Sequence, residues 1–342
     1  MELGFNLPQI GPAASPDAII SVAKRAEELG YDGLCTEETA HDPFFPLLLA
    51  ATTTSKISLN TRVAIAFPRS PMVVAYAATD LQNFSGGRFN LGLGTQVKGH
   101  IERRFSTEWG SPGPRLREYV QSLRAIWDNW QDGKKLDYHG EFFNFSLMTP
   151  YFSPGASQLG TPPVYVSALN PYNCRVAGEV CQGIALHPIT TPKYLTEVIK
   201  PNLAKGAAIA GRNLDEIALA GSGFVITGPD QQTIDSRKEG VKRQIAFYFS
   251  TRTYLPVLEV HGFQEVGQKL HELSLKGEWN QMARLINDEM LETFAVIGPH
   301  DEVAGRLKER FGGLIDELSI NTGPEVRMDE SAMPKIIEQL HN

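Results

Sequence analysis

Residues 60–96 constrain the fold more than any other stretch, because they carry a strand pattern, a helix pattern and a second strand pattern in succession. Residues 61–66 are a short, mostly apolar run with polar flanks, which is typical of a buried parallel strand. Pro71 opens a helical pattern that a pair of glycines ends, and residues 89–93 form the second apolar run. The stretch therefore predicts a βαβ unit, whose crossover is almost always right-handed.

Strand and helix patterns continue to alternate along the rest of the 342 residues. The eight strand candidates are residues 2–7, 33–36, 61–66, 89–93, 164–167, 183–186, 217–227 and 314–320. In a chain of this length, the alternation favours an α/β fold of the (β/α)8 TIM-barrel type over an open doubly wound sheet. No internal repeat or low-complexity linker interrupts it, so we expect a single domain over residues 1–342.

Two segments depart from the alternation and are expected to be insertions on the barrel. Residues 136–163 mix Phe and Tyr with Gly and Pro, whereas residues 229–293 are almost entirely helical in pattern. The aromatic residues of the first segment either line a ring-binding pocket or form a small satellite core. Because insertions vary on a constant barrel, we expect the substrate pocket to be built from these two segments.

Composition limits the classes of partner. A formal net charge of -7 argues against nucleic acid or an anionic membrane as the main partner. The chain has no uninterrupted run of eighteen apolar residues, and its N-terminus is typical of a first strand and not of a signal peptide. Cys35, Cys174 and Cys181 match neither a disulfide framework nor a zinc motif, which is consistent with a cytoplasmic protein.

Reactive groups of a TIM barrel come from the carboxyl ends of its strands. Residues 37–42, 66–70, 95–104 and 167–173 would meet there, and His187 would join them. The turn at residues 92–94 is either a tight strand end or a place where missing side chains let a flat ring approach the backbone. No hydrolase or kinase motif is present.

The Asn170-Pro171 pair predicts the start of a helix. Free N–H groups of Tyr172 and Asn173 would then point into the barrel mouth and could bind phosphate, although an ordinary capped helix fits the sequence as well. Arg103 and Arg104 are either phosphate ligands or part of a solvated helix face.

The polar cluster at residues 37–42 has no metal-ligand spacing, so we expect no metal site. His187 follows an apolar strand and precedes Pro188. As a lone histidine it is either a packed, hydrogen-bonded residue or a catalytic group.

Five segments of the chain resemble the bacterial luciferase-like superfamily, and most closely its coenzyme F420-dependent oxidoreductase branch. They are GYDGLCTEETAHDPF (30–44), NTRVAIAFPRSP (60–71), NFSGGRFNLGLGTQVKGHIERRF (83–105), PVYVSALNPYNCRVAGEVCQG (163–183) and IGPHDEVAGRLKERFGGLIDEL (297–318). The segments occur in the same order as in the family, and SGGRF followed by G-L-G is the most specific of them.

This resemblance implies a TIM barrel with a deazaflavin, or a flavin, lying across the strand ends. It also implies a non-prolyl cis peptide near Arg62-Val63-Ala64. By motif position, the cofactor contacts would be Glu38, Val63, Ala64, Thr95, Gln96, Ser167, Ala168, Asn170, Pro171, Tyr172 and Asn173, with Arg103 and Arg104 as phosphate ligands and His187 lining the ring pocket.

The chain departs from the F420-dependent sugar-phosphate dehydrogenases of this family. Those enzymes place Asp-His after the second strand and Glu after the G-x-G-T-G turn, where this chain has Glu38-Thr39 and Val97. A glucose-6-phosphate dehydrogenase activity is therefore not expected. The remaining candidates for a catalytic proton donor are Glu38 and His187, of which histidine ordinarily has the more suitable pKa.

The resemblance implies an enzyme, an F420-dependent oxidoreductase that transfers a hydride between coenzyme F420 and a small organic substrate. The first alternative is an FMN-dependent two-component monooxygenase that uses O2. The second is a non-catalytic flavin-binding barrel, since fold analogy alone does not determine function. The family also suggests a homodimer.

Overall fold

The computed structural model describes residues 1–8, 15–322 and 330–342, and eight parallel strands in these ranges close into a barrel. The strands are β1 Glu2–Asn6, β2 Gly33–Thr36, β3 Ser58–Thr61, β4 Phe89–Gly94, β5 Val164–Ser167, β6 Gly183–Ala185, β7 Ala218–Gly228 and β8 Glu317–Asn321. Each strand pairs with the next along the chain, and β8 pairs with β1. The predicted (β/α)8 barrel is confirmed.

Helices surround the barrel. In chain order, α1–α15 are Pro16–Leu29, Phe44–Ala51, Pro71–Phe84, Lys98–Arg103, Pro112–Asp132, Pro171–Val180, Pro192–Tyr194, Lys200–Ile209, Gln231–Phe249, Leu255–Val260, Gln264–Leu275, Trp279–Met282, Asp288–Phe294, Val303–Phe311 and Met333–His341. A π-helical segment, Leu195–Ile199, joins α7 to α8, and 3₁₀ turns lie at Leu214–Glu216, Arg252–Tyr254 and Ala283–Leu285.

The helices begin where polar side chains can replace missing backbone partners. The Ser15 hydroxyl accepts a hydrogen bond from the N–H of Ala18 at 3.2 Å, and the Ser70 hydroxyl accepts one from the N–H of Met72 at 3.3 Å. Proline occupies the next position in both helices, where it has no intrahelical bond to lose. These local signals explain why α1 and α3 start where the sequence predicts.

The βαβ unit at residues 60–96 is present, but its first strand differs from the prediction. Strand β3 ends at Thr61, and a separate two-residue strand, Ala64–Ile65, pairs with the end of β4. The Arg62–Val63 peptide between them is cis. The Thr61 hydroxyl donates to the Gly92 carbonyl and accepts from the Gly92 N–H, both at 2.8 Å, so it holds β3 against β4 where the ladder is interrupted.

The insertion at residues 229–293 is helical as predicted, but the strand that follows it, Ala295–Pro299, was not expected. Strand β7 has eleven residues, and its second half, from Phe224 to Gly228, pairs with this extra strand. Periodicity could not distinguish so short an apolar run from the neighbouring helices. The helix after this strand, α14, begins at Val303. Residues 136–163 include a small antiparallel hairpin, Tyr138–His139 with Asn144–Phe145.

The large apolar side chains fill the layer between strands and helices, whereas the barrel interior is polar. An Arg62 nitrogen lies 2.6 Å from a Glu317 carboxylate oxygen, and both side chains are 10% exposed. The Arg62 guanidinium also lies 5.5 Å from the centre of the Tyr165 ring, and the Cys35 sulfur lies 3.9 Å from Glu317. This cluster fills the interior below the carboxyl ends of the strands, where a cavity remains.

Candidate functional site

A cavity of about 340 Å³ opens at the carboxyl ends of the barrel strands. Such a volume falls at the lower end of the range for small-molecule sites. Its walls combine amide, hydroxyl and charged groups with apolar and aromatic faces. The lining residues are Asn6, Glu37, Glu38, Arg62, Val63, Ile65, Gly94, Thr95, Gln96, Val97, Ser167, Leu169, Asn170, Asn173, Ala185, Leu186, His187, Pro188, Ala220, Gly221, Ser222, Tyr248, Thr253, Tyr254 and Ser319.

The structure brings eight of the predicted site residues to this cavity. They are Glu38, Val63, Thr95, Gln96, Ser167, Asn170, Asn173 and His187. Ala64 and Ala168 are buried without lining it. Of the two insertions, residues 229–293 contribute Tyr248, Thr253 and Tyr254, but none of the cavity-lining residues comes from 136–163. The predicted role of both insertions in the substrate pocket stays a prediction.

The cis peptide predicted near Arg62-Val63-Ala64 is confirmed at Arg62–Val63. A Cβ atom on Gly92 would clash with the Thr61 carbonyl oxygen, and one on Gly94 would lie 2.5 Å from a methyl carbon of Val63. The two glycines therefore make room for the backbone and side chain of the 61–63 segment. A tight strand end is therefore observed here, whereas the approach of a flat ring to the backbone stays a prediction; Gly94 and Val63 both line the cavity.

Glu38 is anchored by several hydrogen bonds. Its carboxylate accepts from the N–H of Ile65 at 2.6 Å and from the Arg69 guanidinium at 2.7 Å, and its side chain is 6% exposed. The other Arg69 nitrogen donates to Asp42 at 2.8 Å. Charge-assisted hydrogen bonds of this kind are strong, so this geometry favours a structural role in fixing the segment after Val63. The predicted catalytic role of Glu38 remains a prediction.

His187 is a neutral imidazole within an aromatic cluster. Burial lowers its pKa to about 3. Its Nδ1 accepts the N–H of Ile189 at 3.4 Å, and its ring centre lies 4.5 Å from that of Tyr248 and 4.7 Å from that of Tyr254. This direction departs from the ordinary pKa of histidine because the apolar surroundings disfavour the imidazolium, and the predicted catalytic role of His187 stays a prediction. As a neutral group it can still donate a hydrogen bond from Nε2.

The N-terminus of α6 reaches the cavity through Asn170 and Asn173. The Asn170 side chain accepts the N–H of Asn173 at 2.9 Å, so the prediction of a free N–H at Asn173 is wrong. Pro171 has no N–H, and the Tyr172 ring is 42% exposed beneath the Arg175 guanidinium. Neither residue lines the cavity, so this helix terminus presents fewer donors to it than the sequence suggests.

Arg103 and Arg104 lie outside the cavity lining, at its rim. Both are exposed. The Arg104 guanidinium donates to the carbonyl of Thr39 and lies 4.8 Å from the Phe105 ring centre. It therefore ties the segment after β4 to the segment after β2. Their predicted role as phosphate ligands stays a prediction.

Gln96 has a left-handed backbone, with φ of 56°, at the edge of the cavity. Such a conformation is uncommon for a residue other than glycine, and it tends to occur at functional sites. Its side-chain oxygen accepts the N–H of Val97 at 2.9 Å, which fixes the turn after β4.

Glu37 belongs to the polar cluster at residues 37–42 that the sequence places at the barrel mouth, but it is not among the individually predicted site residues. Strand alternation could have found it: Gly33 and Cys35 face the barrel interior, close to Glu317, so the next residue of that series is Glu37. Glu37 lines the cavity and is exposed to solvent there. Desolvation by the surrounding protein atoms raises the pKa of its carboxyl. Tyr248 and Tyr254 were also missed, because they lie on the inserted helical segment far along the chain.

Among the described residues, no group of three or more His, Cys, Asp or Glu side chains could hold a metal ion. Within the same ranges, no helix is both long and apolar enough to cross a membrane.

The walls of the cavity combine apolar faces with hydrogen-bonding groups. Val63, Leu169 and Tyr254 supply apolar faces, while the amides of Asn6 and Gln96 supply hydrogen-bonding groups. Ser167, Asn170, Ser222 and Ser319 add further polar groups around the walls. This combination, apolar faces with polar groups around them, suits the tricyclic ring of a flavin or deazaflavin.

Comparison with known proteins extends these observations. The family model described as luciferase-like monooxygenase matches residues 2–317. An uncharacterized protein of Mycobacterium tuberculosis is 45% identical over 306 residues, which cover 90% of this chain and 89% of the relative. The 5,10-methylenetetrahydromethanopterin reductase of Archaeoglobus fulgidus is 29% identical over 84% of this chain and 83% of its own.

A solved structure shares the fold over nearly the whole chain. The coenzyme F420-dependent tetrahydromethanopterin reductase from Methanopyrus kandleri superposes with a TM-score of 0.79, at 23% identity, over 99% of this chain and 98% of that one.

Proposed function

Because the chain belongs to the luciferase-like monooxygenase family, we propose that it is an F420-dependent oxidoreductase that transfers a hydride between coenzyme F420 and a small organic substrate. Support for the F420 branch comes from two similar proteins that are tetrahydromethanopterin reductases, of which the solved one is F420-dependent. The similarity to named reductases is moderate, so the proposal extends to the reaction type and not to their substrate.

One observation carries the proposal: the 62–65 segment projects the Val63 side chain into a cavity whose other walls include the start of α6. The resemblance implied this arrangement for the face of a bound deazaflavin. When bound, F420 supplies a two-electron hydride donor or acceptor. The barrel would position its ring against the substrate and exclude water. The residues that would hold it are those already named at the cavity: Val63, Thr95, Gln96, Ser167 and Asn170.

Turnover distinguishes this proposal from its alternatives. Under anaerobic conditions, we expect the protein to oxidise reduced F420 in the presence of one member of a panel of carbonyl, imine and conjugated-alkene compounds. The return of F420 fluorescence follows the reaction. A parallel aerobic mixture with reduced FMN and the same panel measures O2 consumption. Substrate-dependent O2 use with FMN, and no oxidation of reduced F420, would instead support the two-component monooxygenase.

A cavity-filling variant locates the reaction. Ser167 lines the cavity, so Ser167→Phe should abolish turnover by occupying the space. Ser236 lies on the exposed side of α9, so Ser236→Phe serves as the matched control and should retain the wild-type rate. Equal loss in both variants would point to damaged folding and not to the site, and activity retained in Ser167→Phe would place the reaction elsewhere.

A further inference from the structure

Reduction of a neutral C=O, C=N or conjugated C=C group requires a proton as well as a hydride. The departure from the sugar-phosphate dehydrogenases removes the acid–base groups that the family would supply, since Glu38-Thr39 and Val97 occupy those positions. The proton donor must therefore be sought among the side chains that line the cavity.

Glu38 and His187 are poorly suited to that task. Both oxygens of the Glu38 carboxylate accept from the Arg69 guanidinium and one also accepts the N–H of Ile65, so they are already occupied, and the side chain is only 6% exposed. His187, with its pKa lowered to about 3, carries no extra proton to release at neutral pH. Neither group combines a transferable proton with open access to the cavity.

The two tyrosines of the cavity are weak acids. Burial raises the pKa of Tyr254 to about 12 and also raises the pKa of Tyr248. Arg62 is held by Glu317 and by Asn60 at 3.3 Å, and a guanidinium does not deprotonate in proteins. This leaves one acidic side chain among the described residues that line the cavity.

We propose that Glu37 is the catalytic acid of this site and gives its proton to the heteroatom, or to the alkene carbon, of a neutral, unsaturated substrate. It follows the inward-facing residues Gly33 and Cys35 and lines the same cavity as Tyr248. The role rests on the proposed function and identifies the substrate class: a neutral carbonyl, imine or conjugated alkene.

The atoms and electrons balance in this step. The reduced deazaflavin of the proposed function provides a hydride, with both electrons, to the substrate carbon. The O–H bond of Glu37 breaks as a new O–H, N–H or C–H bond forms on the substrate, and its electron pair stays on the carboxylate. Glu37 then regains a proton from solvent, which reaches it through the open cavity. In the reverse direction the same carboxylate accepts the proton.

The direction of the Glu37 pKa shift agrees with this assignment, which rests on the position of the side chain in the cavity. The walls of the cavity disfavour the ionised carboxylate and so raise its pKa above the ordinary value of 4.5. A pKa nearer the working pH is the condition under which a carboxylic acid serves both as donor and, after transfer, as acceptor.

The test combines a titration with kinetics. Protein labelled with ¹³C at the glutamate carboxyls is titrated by NMR, and the Glu37→Gln variant identifies the Glu37 signal by its loss. We expect that signal to titrate above the exposed glutamates. Glu37→Gln should bind F420 within about threefold of wild type but lose about 10²- to 10⁴-fold in kcat, the range for a lost general acid. Glu37→Asp keeps an acid, so it should retain part of the rate with a shifted pH profile.

Each outcome has a distinct meaning. A Glu37 signal that titrates with the exposed glutamates overturns the proposal, as does a Glu37→Gln variant whose kcat stays within about threefold of wild type. If no panel compound is reduced, the titration alone decides. Failure of wild-type protein to bind F420 overturns the proposed function and this role together, whereas normal F420 binding with an unaltered Glu37→Gln rate overturns this role alone.

Discussion

Arg62 and Glu317 form an ion pair inside the barrel, with a nitrogen–oxygen distance of 2.6 Å and little exposure of either side chain. Arg62 precedes the residue that projects into the cavity, and Glu317 begins the strand that closes the barrel onto β1. The ion pair therefore connects the base of the cavity to the strand pairing that closes the barrel.

Removing one partner should leave a buried charge without its counter-ion. We expect Glu317→Gln, and separately Arg62→Met, to lower the free energy of unfolding by about 3–5 kcal/mol. Chemical denaturation measures the change. Arg25→Met, which breaks the exposed pair with Glu28, is the control and should cost less than about 1 kcal/mol. A loss as small as that control in both barrel variants would show that the interior pair is not stabilised by burial.

The two carboxylates on Arg69 provide an internal comparison. Each also accepts a backbone N–H, Glu38 from Ile65 at 2.6 Å and Asp42 from Phe44 at 2.9 Å, but the Glu38 side chain is 6% exposed and the Asp42 side chain is 32% exposed. We expect Glu38→Gln to lower the free energy of unfolding by about 2 kcal/mol and Asp42→Asn by less than about 1 kcal/mol. Equal effects in thermal or chemical unfolding would mean that the deeper burial of Glu38 adds nothing to its contribution.

The lowered pKa of His187 predicts a dependence of stability on acid. The unfolded chain binds a proton at this residue below pH 6.5, but the folded chain does so only near pH 3, so stability falls as pH drops between these values. From pH 7 to pH 5, wild type should lose about 2 kcal/mol more than His187→Gln. Denaturation at the two pH values measures the difference, and parallel losses in both proteins would show that His187 is protonated in the fold.

Oligomeric state is a separate proposal. Phe45 on α2 and Val73 on α3 are 60% and 59% exposed, and these two helices pack against each other. Exposed large apolar side chains on two packed helices are typical of an interaction surface, so we propose a homodimer in which α2 and α3 face the partner. Sedimentation should give a dimer for wild type and a monomer for the Phe45→Glu, Val73→Glu double variant, with Ile209→Glu as an exposed apolar control. A wild-type monomer would contradict the proposal.

The barrel could be predicted because its signals are local. Ser15 with Pro16, Ser70 with Pro71 and Asn170 with Pro171 mark helix starts that the structure reproduces. The short apolar runs between these helices predict strands because their length and composition are also local features. The extra strand Ala295–Pro299 was missed because only its pairing with the far half of β7 identifies it.

The site was less accessible to sequence reasoning because its chemistry depends on contacts across the barrel. Glu37 and Glu38 are adjacent in sequence and both line the cavity, and Glu38 also binds Arg69 from the segment after β3. The pKa of His187 depends on Tyr248 and Tyr254, which arrive from an insertion more than sixty positions later in the chain. Neither environment has a local sequence signature.

The most direct test of the central claim is fluorescence titration of the purified apoprotein with F420 and, in a separate experiment, with FMN. The account predicts saturable F420 binding that Ser167→Phe abolishes and Ser236→Phe leaves unchanged, with no comparable binding of FMN. Saturable binding of FMN alone would contradict it and favour the monooxygenase, and binding of neither cofactor would contradict both.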